Sequence, residues 1–75
     1  MKLVIVKWLD AQEHAGWYSD AEITAFGSPE VETVGWLFAM DDAAVKLVSS
    51  RSADGSGGVN VIPAKMVIQV KELIG

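Results

Sequence analysis

Cysteine is absent from this 75-residue chain, so no disulfide reinforces the fold. The single histidine, His14, leaves no Cys and His set for a structural zinc, and no cofactor is implied. No apolar run is long enough to span a bilayer. The longest, Leu3 to Val6 and Trp36 to Met40, fall far short of the roughly 20 residues required. The opening MKLVIVKWLDA starts like a secretory signal, but Lys7 and Asp10 break its apolar run. These absences lead us to expect one soluble, unprocessed, cytoplasmic domain over residues 1–75, at the small end of what buries a core unaided.

Positive charge is missing from the middle of the chain. Trp8 to Val45 contains eight acids (Asp10, Glu13, Asp20, Glu22, Glu30, Glu32, Asp41, Asp42) and no Lys or Arg. All six bases (Lys2, Lys7, Lys46, Arg51, Lys65, Lys71) lie outside, opposed only by Asp54 and Glu72. Nucleic-acid binding draws its non-specific affinity from cations that displace phosphate counterions, which a net charge of −4 disfavours. A basic or neutral protein partner suits this balance better, although a merely solubilising acidic surface produces the same pattern. The 51% hydrophobic content is high for so short a chain and makes self-association a further expectation.

The periodicity is that of strands. KLVIVKWL is apolar on both faces, as in a strand covered on two sides or tightly curved. Asp10 to Gly16 reads as a loop. Ser19-Asp20-Ala21-Glu22 has the form of a capping box opening a helix of about seven residues. Gly27 is placed to end that helix in a left-handed conformation, and its shortness requires tertiary packing to hold it. VETVGWLFAM alternates with period two. Its bulky face (Val34, Trp36, Phe38, Met40) is expected in the core, and Gly35, on the opposite face, marks a bend or close approach. Asp41 to Ala44 is a turn whose aspartates accept from its own amides, AVKLVSS returns as a strand, and RSADGSGG reads as a mobile hairpin loop. VNVIP, a tight turn at AKM and VIQVKEL complete five strands. The expected fold is mainly β: a small, strongly bent five-stranded barrel with a short helix after strand 1.

Two resemblances follow from these residues. The spacing of GWLFAMDDAAVKLVSS and VIPAKMVIQVKEL resembles that of SH3-like and Sm-like small barrels, in which a proline-marked turn leads into the closing strand. Sm proteins place their helix before the first strand, whereas here it follows. The frame of Trp8 and Asp10, Gly16-Trp17, Val34 to Leu37, Asp41-Asp42, Val45 to Leu47 and Ile62-Pro63 is similar to small proteins encoded by phages and prophages. That likeness implies a viral accessory protein and carries no activity.

KWLDAQEHAGW is the stretch that most suggests chemistry. His14 as base, with Asp10 or Glu13 behind it and Ser19 nearby, has the parts of a nucleophilic site but no fixed arrangement. Asp10, Glu13 and Asp20 lack the ligand spacing of a calcium loop. DGSGG lacks the Lys-Ser/Thr ending and the following helix of a phosphate loop. Trp17, set between Gly16 and the helix cap, is the tryptophan most suited to exposure, with Trp8 half covered. Trp17 either staples the loop to the domain or serves recognition. The expectation is therefore a non-enzymatic binding protein that engages a protein partner through Asp10, Trp17, Tyr18 and Asp20. The alternative is a protein that sequesters a nucleotide-like ligand, with Trp8 or Trp17 stacking on the base and Lys46 or Arg51 meeting phosphate. An Sm-type RNA-binding oligomer ranks below both.

Overall fold

The computed structural model describes residues 1–74. The doubly apolar first segment forms β1 (Leu3–Leu9), an interior strand paired antiparallel to β2 (Glu30–Met40) on one side and to β5 (Val67–Ile74) on the other. β2 also pairs with β3 (Ala44–Arg51), and β3 with β4 (Ser56–Pro63), so the single antiparallel sheet runs β4-β3-β2-β1-β5. Registers such as Val6 opposite both Thr33 and Val70, and Val45 opposite Ile62, set the inward residues of neighbouring strands side by side.

Val4, Val6, Val45, Leu47 and Ile62 form the buried cluster, with Trp8, Leu37, Val67 and Val70 packed against it. Every strand therefore contributes to one core, which requires the sheet to curl around it. The expected barrel is not closed by backbone pairing. No ladder joins β4 to β5; a 3-10 turn, Ala64–Met66, links them instead of a hairpin.

β2 reverses the expected sense of its two faces. Val34 and Phe38 are 54% and 59% exposed on the outer side, and Trp36 is only half-buried. A register shift between Leu37 and Ala39 then sets Ala39 opposite Lys46 and Met40 opposite Val45, which exchanges the two faces at the end of the strand. Gly35 faces the core instead. A Cβ on Gly35 would stand 3.1 Å from Leu47 Cβ and 3.2 Å from the Val48 carbonyl oxygen. The concave side of a curled sheet has little room, so the small residue goes inside and the bulky row outside.

Two further boundaries differ from expectation. Residues 56–58 belong to β4, so the loop of RSADGSGG shrinks to residues 52–55, tied by Ser52 N–H donating to the Gly55 carbonyl at 2.8 Å. At the other turn, Asp41 Oδ1 accepts from the amides of Ala43 and Ala44 at 2.8 and 2.9 Å, as its turn position predicts.

Candidate functional site

The chain leaves the sheet for twenty residues between β1 and β2. Asp10 N–H donates to the Pro29 carbonyl at 3.0 Å, one step beyond the Leu9–Glu30 pair, and closes the base of an arm spanning residues 10–29. The arm contains helix α1 (Asp20–Ala25), none of whose residues is buried. The radius of gyration, 15.6 Å, exceeds the roughly 11 Å of a compact chain this long, and the longest dimension is 52 Å. An arm standing off the sheet accounts for both values.

The tertiary packing expected to hold the helix is replaced by local bonds. Ser19 Oγ accepts from the Glu22 amide at 3.2 Å, and the Glu22 carboxylate accepts from Ser19 N–H at 3.2 Å and from its hydroxyl at 2.9 Å. Thr24 donates its hydroxyl to the Asp20 carbonyl at 2.7 Å. The expected left-handed Gly27 is not used: the helix ends at Phe26 in extended conformation. Phe26 then stacks on the His14 ring at 4.0 Å, nearly parallel, and takes Tyr18 edge-on at 5.0 Å. The Tyr18 hydroxyl donates to the Ala15 carbonyl at 2.9 Å. This aromatic knot escaped the sequence reading because residues 14, 18 and 26 lie in no common helix or strand, and loop contacts follow no period.

Trp17 takes no part in the knot. It is fully exposed, directly after Gly16, whose φ of +110° redirects the loop at that point. Its stapling role is thereby overturned. Tyr18 is half-buried by its contacts with Phe26, Asp20 is exposed at the helix start, and Asp10 is half-buried at the arm's base.

The acidic middle of the sequence divides in space. Asp10, Glu13, Asp20 and Glu22 lie in the arm, which has no Lys or Arg; the remaining six acids equal the six bases in number, so the net −4 resides in the arm. Glu30 pairs with Lys7 at 3.2 Å. Asp41 and Asp42 sit at the far end of β2, and the Ala44 and Ala43 amides hold the Asp41 carboxyl below its ordinary value.

The nucleophilic arrangement around His14 is not assembled, since Ser19 donates its hydroxyl to Glu22 and His14 stacks on Phe26. Among the described residues no three His, Cys, Asp or Glu side chains gather as a metal site. The residues of the nucleotide reading are also dispersed. Trp8 donates its indole N–H to Thr33 Oγ1 at 3.0 Å and packs on the core, Lys46 lies across from Ala39, and Arg51 covers Trp36 at 3.8 Å.

The outer face of the sheet is the feature that sequence reasoning missed. Val59 and Val61 of β4, 60% and 59% exposed, extend the row begun by Val34 and Phe38. A groove of about 350 Å³ lined by Phe38, Lys46, Val48, Gly55, Ser56 and Val59 crosses it. The signal that could have found this face was the pair of small residues Thr33 and Gly35, which marks the crowded side of β2.

The fold and arm define a small, open, mainly β domain with an acidic aromatic projection. No helix among the described residues is long and apolar enough to cross a membrane. No protein-family model, curated protein or solved structure matches the chain.

Proposed function

We propose that this chain is a non-enzymatic binding protein of the phage-accessory kind its sequence frame resembles, working in the host cytoplasm through its arm. The observation that carries this reading is the full exposure of Trp17 at a glycine-set bend of a segment holding the whole net charge. An indole left in water forgoes a large burial energy, and tryptophan is enriched among the residues that anchor protein contacts. The chemistry that complements the arm is a basic or neutral protein surface with a cleft for the ring, flanked by cations for Asp10 and Asp20. Tyr18 shapes the base of the anchor and offers its ring edge.

The strand order and the proline-marked 3-10 turn before β5 support a kinship with SH3-like and Sm-like small barrels. The test is capture from host extract on immobilised wild type beside Trp17→Ala combined with Asp10→Lys and Asp20→Lys. A partner retained by the wild type and lost by the variant is expected. Identical capture by both removes the arm from the function.

A further inference from the structure

We propose that the arm of one copy docks in trans, with Trp17 entering the Phe38–Lys46–Val59 groove on the outer sheet face of a second copy. This rests on the reading of the arm as the binding element and names a partner for it.

Arm and groove are complementary in two independent respects. Trp17 is apolar and fully exposed, and the groove is apolar and open, with Phe38 and Val59 on its walls 59% and 60% exposed. Its volume, about 350 Å³, lies in the range of sites that enclose small aromatic ligands. The charges are also opposite. Lys46 is the only ionised side chain lining the groove, and it pairs with no carboxylate among the described residues. The arm carries four acids and no base, and Asp20, three residues from Trp17, is exposed.

A second groove on the same face, lined by Ile5, Lys7, Glu32, Gln69, Lys71 and Leu73, fits less well. It presents a carboxylate of its own, and Lys7 is already paired with Glu30.

One chain does not unite the two surfaces within itself, since Trp17 is fully exposed. The arm is tied at both ends beside Leu9 and Glu30, and Phe38 lies eight residues along β2, about 26 Å of strand. The elongated shape places the arm away from the sheet rather than folded over it.

The burial involved sets the strength. A tryptophan buries about 150–250 Å², so a ring given and a groove covered remove roughly 400 Å² per copy when two chains exchange arms. That lies below the roughly 800 Å² per partner of standard stable interfaces, so the association is weak and concentration-dependent.

Sedimentation velocity from 1 to 200 µM, on the full chain, tests it. The wild type is expected to move from monomer toward dimer or larger species over that range. Trp17→Ala, which spoils only the arm, and Lys46→Glu, which spoils only the groove, are each expected to stay monomeric with unchanged circular dichroism. Val59→Asp serves as a second groove variant. Mixing Trp17→Ala with Lys46→Glu leaves one sound arm and one sound groove, so a heterodimer is expected where neither protein associates alone. A wild type monomeric throughout, association that persists in all variants, or a mixture that stays monomeric overturns the proposal. A monomeric wild type that still captures a foreign protein through Trp17 overturns this inference and leaves the arm's function standing. Unaltered association together with capture that ignores Trp17 removes both.

Discussion

The Arg51 guanidinium carbon lies 3.8 Å from the centre of the Trp36 ring, on the outer side of the sheet. Trp36 stands opposite Val48, the last register pair that β2 and β3 share before they diverge, and Arg51 follows three residues later on β3. The cation therefore bridges the two strands where their ladder ends. It also covers an indole that the inverted sense of β2 leaves only half-buried.

Arg51→Ala is expected to lower stability by about 0.5–1 kcal/mol, the value of a cation–π contact at an exposed site. Urea unfolding measures it, and tryptophan fluorescence should change as the Trp36 face opens to water. An unchanged midpoint and spectrum would show that the pair contributes nothing.

Gly35→Ala is expected to destabilise by about 1–3 kcal/mol, as overpacking does. The added methyl would meet Leu47 Cβ and the Val48 carbonyl at 3.1 and 3.2 Å, and both belong to buried residues of a strand paired on two sides. A neutral result in thermal unfolding would mean that β3 gives way easily.

These two residues also show how far the fold was legible. Period-two alternation separated Trp36 from Gly35 correctly, because successive side chains alternate along a regular strand, as β2 is until the register shifts between Leu37 and Ala39. It could not say which face is inside. Size and hydrophobicity favoured the Trp36 face, but curling a short sheet around a narrow core gives the inner side to the residue with no side chain. The capping box at Ser19 was legible for the same reason as the alternation: its bonds are local. The exposure of Trp17 was legible only as one of two outcomes, since whether a loop folds onto its domain depends on distant surfaces.

Thr33→Val is expected to cost about 0.5–1.5 kcal/mol, because it removes the acceptor of the Trp8 indole N–H at 3.0 Å while keeping the side chain's shape. Trp8→Phe removes the donor. The double variant should lose less than the two single losses added together, and strict additivity in a double-mutant cycle would deny the bond any energetic role.

The turn at Asp41 makes stability depend on acid. The Ala44 and Ala43 amides hold its carboxyl below the ordinary value of 3.8 in the folded chain. A group lowered by folding adds stability above its unfolded pKa, and that addition disappears as pH falls through the folded value. Asp41→Asn keeps an acceptor but does not titrate. The stability difference between wild type and Asp41→Asn should be constant above about pH 5 and should drift steadily below about pH 4, with the wild type losing ground. A difference that stays flat down to pH 2 would mean that the turn's amides do not favour the charged form.

The arm should melt without the sheet. Helix α1 has no buried residue, and its stability comes from Ser19, Glu22 and Thr24 together with the stacking of His14, Tyr18 and Phe26. A capping serine replaced by alanine costs about 0.5–2 kcal/mol, which is large for a helix of six residues. Because the sheet gains no packing from α1, Ser19→Ala should leave the global urea midpoint in place. Amide exchange should rise sharply over residues 19–26 and remain slow in β1, β2 and β3. Local opening of this kind separates a self-contained projection from a covering flap, because a flap packed on the sheet would transmit its loss to the core. Equal loosening of arm and sheet would show that the arm is part of the fold's cooperative unit, and Trp17 would then be held out by the sheet rather than by its own segment.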